Sequence, residues 1–128
     1  MSESNYTPVR DVMTPDPLTI DGLARISQAI VIMRVNKVSS LVIEKRHEGD
    51  EWGLLTVHDI AAMVIGRDRS PDRDSVYEVM TKPVLTVDSE MDIKYAVRLL
   101  SRFKLSRALV TEKDTLIGIV TLRDMVLR

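Results

Sequence analysis

The chain has 128 residues, of which 45% are apolar and 29% are charged, and its formal net charge is −1. This size suffices for one domain with a proper core. The near-neutral charge gives no electrostatic reason to expect nucleic acid or an anionic membrane as a partner. Without cysteine, disulfides, thiolate nucleophiles and thiolate metal sites are excluded, and two histidines supply a metal site poorly.

The polar start of the chain lacks a signal-peptide pattern, and no apolar run reaches the roughly 18 residues of a membrane span. A soluble, cytoplasmic protein is therefore expected.

The first half of the chain predicts a strand, a helix, a hairpin and a second helix. An extended piece at 18–20 precedes a helix that ends near Asn36, with Asp21 as its candidate N-cap. A strand at 40–44, a polar turn at 47–50 and a strand from Gly53 follow, and the second helix begins near Val57. The helix carries apolar residues at the i, i+3, i+4, i+7 spacing of a buried stripe: Ile26, Ala29, Ile30 and Met33.

A charged, proline-interrupted segment at 67–75 is predicted to be a linker. After it the same order returns, with an extended piece at 85–87 and a helix that ends near Phe103. Ser89 to Asp92 form a candidate capping box for that helix. A strand at 107–111, a turn and a second strand that ends in the segment beginning at Gly118 then lead to a helix that begins near Leu122.

The two halves are copies of one unit. Met13-Thr14 matches Met80-Thr81 at an offset of 67, and the same offset matches residues 18–21 to 85–88. At the glycines the offset is 65, so the first copy holds two extra residues, which fall in its polar turn. We therefore predict an α+β fold of two β-α-β-β-α repeats packed sheet to sheet with pseudo-two-fold symmetry. The predicted boundaries are 1–66 for the first repeat with an N-terminal extension, 67–75 for the linker and 76–128 for the second repeat.

One motif recurs in both copies: glycine, two aliphatic residues, threonine, two further residues and aspartate, at 53–59 and 118–124. The aliphatic pair predicts a buried strand, and Thr-x-x-Asp predicts a capped helix start. Free N–H groups and the positive dipole end there suit a phosphate, and the carboxylate suits sugar hydroxyls. The alternative is a plain helix cap, which stabilises its helix by about 0.5–2 kcal/mol.

No catalytic pattern accompanies this motif. The sequence has no recognisable nucleophile–base spacing, no phosphate loop of the Gly-x-x-x-x-Gly-Lys type and no dinucleotide-binding fingerprint. Its few aromatic residues do not interleave with basic ones, as a stacking surface for nucleic acid requires. The sequence therefore predicts a protein that is not an enzyme.

Taken together, the chain resembles a tandem pair of CBS (cystathionine-β-synthase-type) domains, a Bateman module. The segments that carry the resemblance are 11–15 and 78–81, the strand entry at 38–43, and both glycine motifs. The chain departs from the family at Val42 and Leu109, where proline is frequent. The resemblance implies two clefts between the repeats that bind adenosine-containing ligands.

Carried over residue by residue, the resemblance assigns each cleft to loops of one repeat and the Thr-x-x-Asp of the other. One cleft would comprise Pro17, Leu18, Thr19, Val38, Ser39, Ser40, Thr121, Arg123 and Asp124. The other would comprise Val84, Leu85, Thr86, Leu105, Ser106, Arg107, Thr56, His58 and Asp59.

These residue types suit such a ligand. A carboxylate accepts both hydroxyls of a ribose diol, each bond contributing about 1.5–3 kcal/mol, and aliphatic side chains sandwich a purine. Arg123 can hold phosphate in a fork, with Arg107 as a further partner in the other cleft, whereas His58 is a weaker, pH-dependent cation. Alternatively, His58 and Arg123 are solvated helix-start residues, and Leu18 and Leu85 belong to the core.

The expected function is a regulatory module that binds AMP, ADP or ATP, forms a homodimer and signals to an effector protein, with no required cofactor or metal. The alternative is a structural homodimerisation module whose clefts are empty or bind another adenosyl compound such as S-adenosylmethionine.

Overall fold

The computed structural model describes residues 5–128; the first four residues of the polar chain start lie outside the described part. The chain forms two compact units. We call Leu18–Val84 the first-repeat unit, and residues 5–17 together with Leu85–Arg128 the second-repeat unit. Among residues 5–128, no helix has the length and apolar character needed to span a membrane.

The predicted β-α-β-β-α order is present twice. In chain order the elements are a 3-10 turn at Val9–Asp11, β1 (Thr14–Pro15), β2 (Thr19–Ile20), α1 (Ile26–Asn36), β3 (Ser40–Ile43), β4 (Gly53–Thr56), α2 (Val57–Ile60), a π-helical segment (Ala61–Ile65), α3 (Val76–Val79), β5 (Thr86–Asp88), α4 (Ile93–Arg102), β6 (Arg107–Glu112), β7 (Thr115–Thr121) and α5 (Leu122–Val126).

The first-repeat unit contains a three-stranded sheet in the order β2-β3-β4. β2 runs parallel to β3, and β3 runs antiparallel to β4. Three of the four predicted stripe residues of α1 are buried in the core, and Ile30 packs partly against it, because helical spacing brings all four to one face. They meet the strand side chains of Leu41, Ile43 and Leu55.

The second-repeat unit contains a four-stranded sheet in the order β1-β7-β6-β5. Its core is built in the same way, with Ala96 and Leu100 of α4 against Val110 and Val120 of the strands. Val9 belongs to this core and is completely buried.

The segment that precedes each repeat in the sequence packs on the other repeat. β1 adds to β7 of the second repeat, with Thr14 opposite Ile119. In the first-repeat unit the backbones of Leu54 and Thr81 exchange two hydrogen bonds of 2.9 Å. Two glycines permit these close approaches: a Cβ on Gly53 would lie 2.8 Å from Met80 Sδ. A Cβ on Gly118 would collide with Met13 Sδ and lie 2.9 Å from the Thr14 carbonyl oxygen.

Two predicted helix caps are wrong. Asp21 accepts the N–H of Leu23 at 2.8 Å and so closes a turn, while α1 begins after Arg25, whose N–H donates to Gln28. Asp92, rather than Ser89, is the N-cap of α4 and accepts from the Lys94 N–H.

Within residues 67–75, the backbone ties to the start of α1. The N–H groups of Ile26 and Ser27 donate to the carbonyls of Asp74 and Pro71 at 2.9 Å. Asp74 is buried and its carboxylate bonds to Arg69 at 2.9 Å.

Candidate ligand-binding site

In each sheet, one end collects the predicted binding residues of that repeat. The parallel strands β2 and β3 begin at this end, and the antiparallel β4 finishes there before α2. Ser40 is accordingly paired with Thr56, and the N–H of Val57 donates to the carbonyl of Ser39 at 3.0 Å. We call this the cap end of the sheet, and the opposite end the far end.

The Thr-x-x-Asp of the first repeat forms a complete capping box. The Asp59 N–H donates to Thr56 Oγ1 at 3.0 Å, and the Thr56 N–H donates to Asp59 Oδ2 at 3.0 Å. The box holds the carboxylate at the start of α2 in one orientation, half-buried, through one of its two oxygens.

The second repeat reproduces this arrangement. Thr121 and Asp124 form the same two bonds, both at 3.0 Å, at the start of α5. The Leu122 N–H donates to the Ser106 carbonyl at 2.9 Å, and Arg107 is paired with Thr121 across the strands. Both Thr-x-x-Asp motifs therefore form the capped helix starts that the sequence predicts.

The aliphatic residues of the cap ends are partly exposed. Leu18, Val38 and Leu105 have 37%, 36% and 39% of their surface accessible, so Leu18 is not a core residue. Leu85 is partly buried and packs against the second-repeat core. Pro17 lies in the second-repeat unit and Val84 in the first-repeat unit.

The charged residues of the two cap ends differ. His58 and Arg123 are both exposed, at equivalent positions of α2 and α5. Arg123 and Asp124 line a cavity of about 450 Å³ in the second-repeat unit. Asp11 and Arg128 line the same cavity. The sequence did not predict these two residues, because no local pattern shows that the 3-10 turn packs beside α5.

A second cavity that the sequence did not predict lies among the helices of the first-repeat unit. It has a volume of about 370 Å³ and an almost wholly apolar lining from α1, α2 and the π-helical segment, including Ile30, Ile60 and Ile65. Val38 of the cap end also contributes to it.

At the far end of the first-repeat sheet, an ion pair fixes the hairpin that carries the two extra residues. Lys82 Nζ lies 2.8 and 3.0 Å from the two carboxylate oxygens of Asp50. This bond, together with the backbone N–H groups of Arg46 and Glu51, holds the pKa of Asp50 well below its usual range.

The far end of the second-repeat sheet has other partners. Ser89 is completely buried and its hydroxyl donates to Glu112 Oε1 at 2.9 Å. Arg10 forms an ion pair of 2.5 Å with Glu90, whose main-chain carbonyl accepts the Tyr6 hydroxyl. Across residues 5–128, no group of three or more His, Cys, Asp or Glu side chains could hold a metal ion.

Comparison with known proteins agrees with this fold. The CBS domain family model matches residues 9–66 and 76–128. A solved structure of a hexameric CBS-CP12 protein from bloom-forming cyanobacteria superposes with a TM-score of 0.91 at 33% identity, covering 95% of this chain and 70% of that one. The CBS domain pair of protein MJ0100, solved with 5′-methylthioadenosine and S-adenosyl-L-methionine, shares the fold with a TM-score of 0.81, at 24% identity, over 95% of this chain and 94% of that one.

Curated relatives differ in how much of their length the chain spans. An uncharacterized protein of Methanopyrus kandleri is 34% identical over 95 residues, which are 73% of this chain but only 47% of the relative. The CBS domain-containing protein YhcV of Bacillus subtilis is 26% identical over 117 residues, 91% of this chain and 81% of that protein.

The fold and the two capping boxes define a tandem-repeat α+β protein, and the family match identifies the family to which the two repeats belong. The chain belongs to the CBS domain family and contains two repeats. The family match and the superposed structures confirm the predicted family and fold class. CBS domain pairs are in general regulatory modules.

Proposed function

We propose that this CBS pair binds an adenosine-containing ligand and thereby regulates a partner protein. The observation that carries the proposal is the pair of matching capping boxes, each of which holds an aspartate at a sheet end whose aliphatic side chains are partly exposed. Support also comes from the CBS pair that was solved with two adenosyl compounds.

The geometry of each box suits a ribose. Because Oδ2 of Asp59 and of Asp124 accepts a backbone N–H, each carboxylate is oriented before a ligand arrives, which lowers the entropic cost of binding. Its other oxygen, Oδ1, is directed by the same constraint and would accept hydroxyls of the diol. The residues proposed for the purine are Leu18 and Val38 for one cleft, and Leu85 and Leu105 for the other.

The charges favour a phosphate-bearing ligand. Arg123 beside Asp124 would bind phosphate in a fork, in the cleft proposed to include Ser39 and Ser40. In the other cleft, Arg107 would supply the permanent charge and His58 a pH-dependent one. AMP, ADP or ATP is therefore the proposed ligand class, with S-adenosylmethionine as the competing one.

The test is calorimetric titration with ATP, ADP, AMP, S-adenosylmethionine and NAD, combined with thermal unfolding. A ligand at a hundred times its dissociation constant stabilises the protein by about 2.7 kcal/mol. Asp124→Asn and Asp59→Asn should each weaken one cleft about tenfold or more, since each loses a charged hydrogen bond to the sugar. Asp72→Asn, on an exposed turn, is the matched control. Unchanged affinity in both cleft variants would contradict the assignment.

A structural homodimerisation role is the second candidate. Two valines of α1 are exposed, Val31 by 46% and Val35 by 70%, and the apolar cavity among the helices lies in the same unit. Burying such surface in a homodimer would stabilise so small a core. Light scattering after gel filtration separates the candidates: a dimer that no adenosine compound stabilises would favour the structural role.

The remaining elements of the proposal follow from ligand binding rather than catalysis. A module that responds to adenine nucleotides would meet them in the cytoplasm, and it would transmit only the difference in ligand affinity between its two states. The effector protein is the partner that would sense this difference.

A further inference from the structure

The first-repeat unit contains a small cavity at the far end of its sheet, away from the capping box. Its volume is about 130 Å³, close to the roughly 150 Å³ of an apolar cavity that holds benzene. Ile43, which is 2% exposed, and Met80 form apolar lining, and the exposed Leu23 and Tyr77 also line it.

The cavity also carries charges of both signs. Arg46, Glu44 and Lys82 line it. Lys82 is neutralised by Asp50, to which it is bonded through both oxygens. Glu44 accepts one hydrogen bond of 3.2 Å, from Thr19, through Oε2. Within residues 5–128 the guanidinium of Arg46 forms no ion pair, so one available cation and one carboxylate border an apolar space.

The second-repeat unit shows that this space is not a general property of the repeat. At the offset of 67, Gly22 corresponds to Ser89, whose buried hydroxyl donates to Glu112. Leu23 and Tyr77 correspond to Glu90 and Arg10, which are paired with each other. In the second-repeat unit, side chains occupy these positions and bond to one another or to Glu112. In the first-repeat unit, Gly22 leaves space, and the charged groups of Glu44 and Arg46 line the edge of the cavity.

We propose that this cavity binds a free α-amino acid with an aliphatic side chain, such as leucine. The carboxylate is held by Arg46, the ammonium by Glu44, and the side chain packs on Ile43 and Met80. A zwitterion matches the two opposite charges, and a branched four-carbon side chain matches the apolar volume. The site is separate from the adenosine site proposed above and does not depend on it.

Calorimetric titration of the full chain with L-leucine tests the site, and two analogues test the charges. 4-Methylpentanoate lacks the ammonium, and isoamylamine lacks the carboxylate. L-Leucine should bind once per chain, and each analogue should bind at least about tenfold more weakly because one charged hydrogen bond is lost.

Two variants locate the site. Arg46→Gln should weaken leucine binding about tenfold or more. Gly22→Ala should also weaken it, because the new methyl group enters the cavity. That methyl would meet Ile43 Cγ2 and Tyr77 Cβ at 3.5 Å, which is ordinary contact, so this variant should fold. Arg102→Gln, an exposed arginine at the end of α4, is the control and should bind as the parent does.

The proposal is overturned if L-leucine gives no binding up to about 10 mM, if 4-methylpentanoate binds as tightly as leucine, or if Arg46→Gln and Gly22→Ala both retain the parent affinity. Asp124→Asn should leave leucine binding unchanged, so failure of the adenosine site and failure of this site are distinguishable.

Discussion

The two repeat units share the same capping box at the cap end of the sheet but have different contacts at the far end. At the cap ends, the four hydrogen bonds of the two capping boxes all measure 3.0 Å. At the far ends, the first-repeat unit has an Asp50–Lys82 ion pair and a cavity, while the second has the Ser89–Glu112 and Arg10–Glu90 pairs. A duplicated fold can therefore keep the hydrogen bonds at one end of its sheet while the other end forms different contacts.

The largest expected effect comes from Gly53 and Gly118, against which the segments that precede the repeats in the sequence pack. Gly118→Ala should lower the free energy of unfolding by about 1–3 kcal/mol, because its methyl would press on the Thr14 carbonyl as well as on Met13. Gly53→Ala should cost less, since its closest contact is the flexible Met80 side chain and Thr81 O is 3.5 Å away. Urea denaturation of both variants measures the difference. A larger loss for Gly53→Ala would contradict the structural comparison.

The capping boxes should give an intermediate and equal effect. Thr56→Ala and Thr121→Ala each remove the acceptor of an aspartate N–H, which should cost about 1 kcal/mol of unfolding free energy. Serine at either position retains the hydroxyl and should restore most of the loss. If the two alanine variants differ by more than about 1 kcal/mol, the cap ends are not energetically equivalent.

The smallest effect concerns the Asp50–Lys82 pair and depends on pH. Because the folded-state pKa of Asp50 is lowered, its contribution to stability is present above the unfolded-state value of 3.8 and disappears as the pH falls through the lower folded-state pKa. Asp50→Asn should therefore lower the melting temperature at neutral pH, and the difference from the parent should shrink below about pH 4. Asp72→Asn is the control, and a difference that persists in acid would exclude the ion pair as its cause.

The sequence predicted the elements well because their signals are local. The apolar stripe of α1 and both Thr-x-x-Asp caps depend on residues within a few positions of one another, and all are present. The internal repeat added confirmation that a single copy cannot give, since the same pattern predicted the same elements twice.

The wrong predictions have a physical reason. Asp21 is a common capping residue, but the backbone between it and α1 makes an additional turn, so its carboxylate accepts from Leu23. Ser89 was predicted at a helix start, yet it is buried at the far end, where Glu112 accepts its hydroxyl. The Ser89 outcome cannot be seen in sequence, because it depends on which distant strand lies nearby.

The segment that precedes each repeat packs on the other repeat, and this too was not predicted, because it depends on contacts between residues far apart in the sequence. Local sequence pattern reveals neither a two-residue, exposed edge strand such as β1 nor the sheet that it joins. The cavity lined by Asp11 and Arg128 follows from that packing and was missed with it.

Because of this exchange of segments, the two units differ in when their parts become available for folding during synthesis. The first-repeat unit is one continuous stretch, so all of its parts are available once Val84 has been synthesised. The second-repeat unit must join the 3-10 turn and β1 to β7 across that entire stretch, which requires a long loop closure. During synthesis, residues 5–17 cannot pair with β7 until this last strand has emerged from the ribosome. Until then their apolar side chains, including that of Val9, are not buried in the second-repeat core.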